Sequence, residues 1–362
     1  MHPTNPFVAG PKLQNPQIFV GRKEELQAIF SRMSGVQPTS VNIVGEPQIG
    51  KSSLLYYFSL VWSESVREPS KYVVIYVSLK KASCQKEKNF YGIVARYLLS
   101  CSAVQAKPIL NQILQEKPID RIGFSRAITE FENQGLLPVL CLDDFENLLK
   151  YPKEFDNGFY DNLRSLMDNN VLMLILASCE TLNVYADKYR FVSRFFNVGH
   201  TIKLSEFTSD EAIELTKLSD MNANDKKPLL NAEEQKYVYS WGKYHPYLLQ
   251  LAASYVWESR YNNKGIKWAK KQFEQQKKLF EQDKKRKSPH LPYFLKKEKP
   301  EKNNIFWWFK KLPIIIGVFV ETLENFTKSI IGLVILSLLI LVVVKVLPVE
   351  TFVKYFRDLI GR

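Results

Sequence analysis

The chain has 362 residues, of which 46% are hydrophobic and 13% aromatic, and this is the composition of a folded protein of about two domains. Its net charge of +13 is uneven, because residues 264–311 carry 16 Lys and Arg against 5 Asp and Glu. No Cys-x-x-Cys pair occurs and the first 17 residues lack an apolar core, which argues against a zinc scaffold and a signal peptide.

Apolar runs and helical patterns alternate along the first two hundred residues. Residues 1–17 are predicted to form an irregular lead-in, and a helical pattern follows at 21–33. The apolar runs occupy residues 40–44, 72–79, 138–144, 171–178 and 200–204. Such runs suit strands that are buried on both faces, and their alternation with helices indicates a parallel sheet. We therefore predict an α/β domain at 18–204.

Beyond residue 205 the strand pattern stops and helical patterns continue. They cover residues 209–218, 232–242 and 246–260. We expect a helical lid at 205–263, followed at 264–311 by a basic helix (roughly 266–286) and a Pro- and Lys-rich linker.

The C-terminal part has the pattern of a membrane anchor. Residues 329–347 carry a single charge, Lys345, and would span about 28 Å as a helix, close to the hydrocarbon thickness of a bilayer. Residues 312–328 are predicted to be interfacial or re-entrant, although a second pass is an alternative, and 348–362 an amphipathic tail. The basic segment would then face anionic lipid; nucleic-acid binding is the less favoured alternative.

The segment Gly45-Glu46-Pro47-Gln48-Ile49-Gly50-Lys51-Ser52 matches the phosphate-loop pattern in full. Glycines let backbone N–H groups turn towards one phosphate, and the following helix directs its positive end at the same group. Lys51 would reach the β- and γ-phosphates, and the Ser52 hydroxyl would bind Mg²⁺. The predicted ATP- or ADP-binding residues of this segment are Gly45, Gln48, Ile49, Gly50, Lys51, Ser52 and Ser53.

Acidic residues follow the third apolar run. Asp143 is predicted to hold Mg²⁺ together with Ser52, and Asp144 to orient or deprotonate the attacking water. Glu146 is an alternative base. Since Asp is one methylene shorter than Glu, we expect slow ATP hydrolysis.

Three further residues are candidates for the γ-phosphate. Ser178 ends the fourth run, where a polar side chain contacts the phosphate or only makes a strand-end hydrogen bond. Arg190 and Arg194 precede the fifth run. In an assembled ring or filament either could reach a neighbour's γ-phosphate, and Arg194 is the preferred candidate.

Taken together, the motifs FVGRKEEL, VGEPQIGKSSLL, VLCLDDFE, VLMLILAS and YHPYLLQLA resemble the STAND-type ATPases, signal-transducing relatives of the AAA+ ATPases that include the archaeal-ATPase-like group. The resemblance covers about residues 16 to 260. It implies a five-stranded parallel sheet of order 5-1-4-3-2 with a helical lid. It also implies nucleotide-binding roles for Val20, Gly21, Arg22 and Pro246, with His245 as a phosphate sensor or a turn-shaping residue.

These features predict a membrane-anchored ATP switch that self-assembles on nucleotide binding and signals at, or perturbs, the membrane, as in prokaryotic defence systems. The ATPase domain would be cytoplasmic on a single-pass anchor, in the inner membrane of a bacterium. The roughly 50 residues between the lid and the apolar segment are too few for the family's usual sensor, so the signal is expected from another protein. The alternative is a tethered motor or loader acting on a protein or nucleic-acid client.

Overall fold

The computed structural model describes residues 4–116, 119–197, 199–219 and 227–287. The strands are β1 (Val41–Val44), β2 (Tyr72–Ser78), β3 (Leu137–Asp143), β4 (Met173–Ser178) and β5 (His200–Lys203). The helices are α1 (Lys23–Met33), α2 (Lys51–Val61), α3 (Glu87–Leu99), α4 (Ser102–Gln105), α5 (Pro108–Gln115), α6 (Arg121–Asn133), α7 (Asn157–Asp168), α8 (Leu182–Tyr189), α9 (Ser209–Thr216), α10 (Ala232–Gly242), α11 (Pro246–Tyr261) and α12 (Gly265–Lys287).

The five strands form one parallel sheet of order β2-β3-β4-β1-β5. Read from the β5 edge this is 5-1-4-3-2, the order that the resemblance implied. Each of the five apolar runs forms a strand, as predicted. β1 and β4 are buried along their whole length, whereas β2 alternates and β5 is largely exposed. The difference follows from position, because edge strands are covered less than central ones.

Helices cover both faces of the sheet. On one face α1 and α2 pack through Ile29 and Phe58, and on the other α3, α6 and α7 pack through Phe90, Phe124 and Phe159. All five of these side chains are fully buried. The domain is therefore a three-layer α/β fold with an apolar core on each side of the sheet.

The lid is built from α9 to α12 around a third apolar core. Phe273 of α12 is fully buried and its ring centroid lies 5.7 Å from that of Trp241 in α10. Ala269, one turn earlier, is also fully buried. The basic helix thus packs within the lid, and the boundary predicted at residue 263 divides a single helical unit. The buried residues of α12 recur at the 3–4 spacing of one helix face, and this face packs against α11.

Residues 5–13, here called the N-terminal arm, have no regular secondary structure, yet they dock on the lid. The Asn5 amide donates to Ser254 Oγ (2.8 Å) and Glu258 Oε1 (3.1 Å) of α11. Phe7 is 5% exposed and makes an edge contact with Trp257 at 6.3 Å. The predicted irregular lead-in therefore completes the lid core.

Among the described residues, none of the helices is both long and apolar enough to cross a bilayer. The predicted interfacial segment 312–328, transmembrane helix 329–347 and tail 348–362 lie outside the described residues, as does the linker from 288 onward.

Docking of the arm gives a stability prediction. Phe7→Ala removes a buried aromatic ring and is expected to cost about 3 kcal/mol in the unfolding of the lid. Val36→Ala is the control, because Val36 is fully exposed and should cost less than about 0.5 kcal/mol. Urea titrations followed by tryptophan fluorescence compare the two. Equal midpoints for the two variants would contradict a structural role for the arm.

Candidate nucleotide-binding site

The phosphate loop connects β1 to α2 at the carboxyl edge of the sheet. A Cβ on Gly45 would lie 2.9 Å from the Ile49 side chain and 3.0 Å from the Leu204 carbonyl oxygen, so a larger residue would force a shift. Gly50 has a φ of 104°, a conformation that L side chains rarely adopt. Since α2 begins at the next residue, the loop places the positive end of this helix at the cleft.

Lys51 folds back onto the phosphate loop, and the two predicted metal ligands, Ser52 and Asp143, lie side by side. Lys51 Nζ donates to the carbonyl oxygens of Gly45 (2.6 Å) and Glu46 (2.8 Å). Ser52 Oγ donates to Asp143 Oδ1 at 3.0 Å. The phosphate-loop motif after β1 and the acid at the end of β3 therefore lie side by side at the carboxyl edge of the sheet.

Ser52 and Asp143 fit Mg²⁺. Both offer oxygen atoms, and Mg²⁺ is usually held by one or two protein oxygens with phosphate oxygens and water completing its shell. The Tyr76 hydroxyl donates to Asp143 Oδ2 at 2.6 Å and so fixes the carboxylate. Burial, and then the neighbouring Asp144, raise the pKa of Asp143. A bound cation would favour the charged carboxylate against both effects.

The two candidate bases face different neighbours. Asp144 has a φ of 57°, and its Oδ1 lies 2.8 Å from Lys80 Nζ. Glu146 Oε1 accepts a hydrogen bond from the Cys179 thiol at 3.2 Å. Glu146 Oε2 is buried and has no hydrogen-bond partner among the described residues. Both carboxylates line the cleft.

Val20 and Gly21 lie where the phosphate-loop domain meets the lid. Val20 is 8% exposed and packs in the lid core while lining the cleft. Gly21 has a φ of 69°, and a Cβ there would come within 2.7 Å of Glu211 Oε1. The same carboxylate oxygen accepts from the Arg22 backbone N–H. A side chain at position 21 would therefore break the contact with α9.

Arg22 also lines the cleft, but its guanidinium braces the loop. It is 3% exposed and donates to the carbonyl oxygens of Ile49 (3.1 Å) and Ser205 (2.7 Å). It pairs with Glu25 at 3.0 Å. The residue thus joins α1, the phosphate loop and the segment after β5, a role that the resemblance alone does not specify.

Pro246, for which the resemblance implies a nucleotide-binding role, lies in the cleft wall as the first residue of α11. His245 precedes it and is 5% exposed, and neither ring nitrogen has a hydrogen-bond partner among the described residues. Its ring packs 5.1 Å from that of Phe280. Burial, followed by the nearby Lys284 ammonium, lowers the pKa of His245 to about 4. His245 is therefore neutral at pH 7 and shapes the start of α11.

The N-terminal arm reaches the end of the cleft where Ser52 and Asp143 lie, a contact that the sequence did not predict. Lys12 Nζ lies 3.6 Å from the ring centroid of Tyr56 and 3.9 Å from that of Tyr76. The next residue, Leu13, donates its N–H to Ser53 Oγ at 3.1 Å. The arm thus runs from α11 to α2 and closes one side of the cleft. Its few apolar residues carry no periodicity that could have predicted this.

α12 forms another wall that the sequence did not indicate. Lys284 Nζ lies 2.5 Å from Glu46 Oε2 in the phosphate loop. Leu279, Phe280 and Asp283 of the same helix also line the cleft. The charge run that predicted a lipid-facing helix therefore also contacts the nucleotide site.

The remaining predicted residues lie away from the cleft lining. Ser178 is 1% exposed, and its hydroxyl donates to the Glu180 carbonyl at 2.7 Å. The Ser178 hydroxyl thus makes the strand-end hydrogen bond of the second alternative, and the next residue, Cys179, lines the cleft. Arg190 directly follows α8 with a φ of 59°, and Arg194 is exposed at the start of a 3-10 turn. Neither arginine lines the cleft of its own chain.

The neutral, buried His245 predicts acid sensitivity. Its folded pKa of about 4 lies below the ordinary value of 6.5, so the unfolded chain binds more protons between these pH values. This contribution to stability is complete above pH 6.5 and decreases as the pH falls towards 4, by about 3 kcal/mol in total.

His245→Leu, which cannot titrate, should flatten this part of the profile. Urea titrations at pH 7.5, 5.5 and 4.5 measure the difference in the free energy of unfolding between the two proteins. The contributions of titratable groups that both proteins share cancel in this difference. Parallel profiles for the two proteins would contradict the buried neutral imidazole.

The cleft has a volume of about 980 Å³, within the upper range of small-molecule sites. The sequence profile of a family described as an AAA-like domain matches residues 8–283. The fold is similar to that of the Walker-type ATPase PABY2304 of Pyrococcus abyssi, with 16% identity, a TM-score of 0.57, and coverage of 77% of this chain and 79% of that one.

Weaker structural matches include the ORC2 protein of Aeropyrum pernix in ADPNP-ADP complexes, with 16% identity, a TM-score of 0.46 and coverage of 68% and 62%. AMPPCP-bound DnaA from Aquifex aeolicus matches with 16% identity, a TM-score of 0.42 and coverage of 72% and 71%. No curated protein matches the chain. The profile spans the sheet, the lid and most of α12: the chain belongs to the AAA-like domain family, and its fold is that of a P-loop NTPase related to the AAA+ ATPases.

Proposed function

We propose that this protein is a Mg²⁺-dependent ATPase that works as a membrane-anchored switch of the STAND type. ATP binding changes the angle between the sheet domain and the lid and exposes surfaces for self-assembly. The C-terminal apolar segment, 329–347, transmits that change to a membrane. Hydrolysis to ADP resets the switch slowly.

The chemistry of the cleft supports nucleotide binding. Lys51 and the N–H groups at the start of α2 suit the β- and γ-phosphates, and Val20 and Pro246 supply apolar surface for the base. Ser52 and Asp143 would hold Mg²⁺. When bound, Mg²⁺ neutralises charge that develops on the phosphate oxygens.

The observation that supports a switch is the ion pair between Lys284 and Glu46, which joins α12 to the phosphate loop at 2.5 Å. Both side chains are about half exposed, at 46% and 57%, so the pair is worth less than about 1 kcal/mol. It can therefore open when the loop changes. The Glu46 carbonyl also accepts from Lys51, and a phosphate that attracts Lys51 changes the same residue that α12 contacts. In the sequence, α12 precedes the predicted membrane segment.

Self-assembly accounts for the exposed arginines. Arg194 is exposed and lies outside the cleft lining of its own chain, so it is available to a neighbour's γ-phosphate. Assembly would cluster the C-terminal segments and so signal at the membrane or perturb it, as expected for a defence system. Another protein would supply the trigger.

The switch predicts ATP-driven assembly that depends on Lys51. Light scattering in detergent measures the size of the protein with ADP, ATP or a non-hydrolysable ATP analogue, and phosphate release measures turnover. ATP and the analogue should each give a larger species than ADP, and turnover should be slow. Lys51→Ala should bind ATP about ten- to a hundredfold more weakly and remain small.

Lys153→Ala, an exposed lysine outside the cleft lining, should behave as the unsubstituted chain. Nucleotide-independent size with brisk turnover would favour a client-driven motor and contradict the switch.

Coupling through α12 predicts an easier transition when its ion pair is removed. Lys284→Ala should lower the ATP concentration for half-maximal assembly by up to about fivefold, the equivalent of a surface pair. Lys278→Ala is the matched control, because this lysine is exposed on the same helix and does not line the cleft. A requirement for more ATP in the Lys284 variant, or the same change in both, would contradict a restraining contact.

A further inference from the structure

We propose that Gln250 reads the nucleobase in the cleft, and that its side-chain NH2 group donates a hydrogen bond to a ring nitrogen of adenine. This role rests on the proposed function, because it takes ATP as the ligand, and it names a residue that sets which base is accepted. Three features support it: the position of Gln250 in the cleft wall, its hydrogen bond to the N-terminal arm, and the unused donor that this bond leaves.

Gln250 lies on the wall of the cleft that the lid provides. α9 and α11 contribute Leu215, Pro246, Tyr247 and Gln250 to the lining. Pro246 and Gln250 are four residues apart in α11, so their side chains share one face of the helix. Small-molecule sites commonly combine such apolar and aromatic surface with a few polar groups that fix the orientation of the ligand. Gln250 is therefore placed where one polar group would orient a base.

The hydrogen bond to the arm fixes which end of the amide faces the arm. The Val8 backbone N–H donates to Gln250 Oε1 at 3.0 Å. A backbone N–H can only donate, so the carbonyl end of the amide must face Val8 and the NH2 end must point away from it. Asn5 and Phe7 dock the same arm on α11, and the amide is therefore held in one orientation.

The NH2 group of Gln250 is left without a partner. The residue is only 6% exposed, yet Nε2 donates to no acceptor among the described residues and is not one of their fully buried polar atoms. Because Gln250 lines the cleft, the accessible surface of this nitrogen opens onto the cleft. A largely buried side chain with an unused donor is costly unless a water or a ligand accepts from it. A bound base would supply that acceptor.

A donor at this place selects one kind of atom on the base. Adenine offers the ring nitrogens N1, N3 and N7 as acceptors, whereas its exocyclic amine is itself a donor. The contact is therefore to a ring nitrogen and not to the amine. A base that placed an N–H at the same point would set two donors against each other, and a site with an unpaired buried polar group discriminates strongly against such a ligand.

Three ATP analogues test the contact in the full, unsubstituted chain. In 1-deaza-, 3-deaza- and 7-deaza-ATP one ring nitrogen is replaced by C–H. Calorimetric titrations without Mg²⁺, in which ATP is not turned over, measure the Kd of each. One analogue should bind about three- to tenfold more weakly than ATP, the equivalent of one neutral hydrogen bond, and the other two should bind within about twofold of ATP.

Gln250→Met keeps the length of the side chain and removes the amide. This variant should bind ATP about three- to tenfold more weakly. The analogue that the unsubstituted chain binds weakly should now bind as well as ATP, because the interacting pair is already broken. Inorganic tripolyphosphate, which has no base, should bind both proteins equally.

Gln112→Met is the matched control, because Gln112 is exposed on α5 and lies outside the cleft lining. It should keep the preference of the unsubstituted chain. Gln250→Glu, which keeps an oxygen for the Val8 N–H and lacks the donor, replaces Gln250→Met if that protein does not fold, and should lose the same preference.

Equal affinities of the unsubstituted chain for ATP and all three analogues would overturn the proposal. A Gln250→Met protein that still prefers ATP over the same analogue would also overturn it, since loss of the arm contact alone would weaken all four nucleotides by one factor. Either result would leave the proposed nucleotide function standing. Failure of the unsubstituted chain to bind ATP would reject both.

Discussion

The hydrogen bond between Ser52 and Asp143 joins positions 91 residues apart, and the rest of the site depends on the constraint behind it. β1 and β3 are not neighbours in the sheet, because β4 lies between them. Ser52 must therefore reach across the end of β4 from the first turn of α2. Only a parallel sheet with its carboxyl ends at one edge brings a loop, an acid and a helix N-terminus to this point.

Two contacts then complete the cleft from outside the sheet domain. The N-terminal arm connects α11 to α2, and α12 connects the lid to the phosphate loop through Lys284. Arg22 braces the same loop from within, through the Ile49 carbonyl. The phosphate loop and the first turn of α2 thus contact α12, the N-terminal arm and Arg22. A ligand bound at the loop would meet a segment that these three contacts already hold.

Local patterns in the sequence were sufficient for the five strands, the phosphate loop and the helices of the lid, whereas the strand order came from the resemblance and the helices between β2 and β5 were not placed individually. A run such as VLMLILAS has strand character whatever its partners are, and Gly45 to Ser52 has a fixed spacing that a backbone turn requires. The docking of Phe7 and the pairing of Asp144 with Lys80 depend on distant chain segments, so no local sequence pattern predicts them. Ser178 shows the same limit, because strand-end position alone does not tell which way a hydroxyl turns.

The docked arm also constrains the order in which the chain can fold. Phe7 belongs to the same apolar cluster as Trp257 and Phe273, so the arm, which is synthesised before α11 and α12, lacks its partners until those helices have been made. The sheet domain is complete by β5 and can form earlier, since domains fold as units during synthesis. The lid therefore consolidates after the sheet domain. Until then the arm is an apolar segment without cover, which a chaperone or a neighbouring nascent chain can bind.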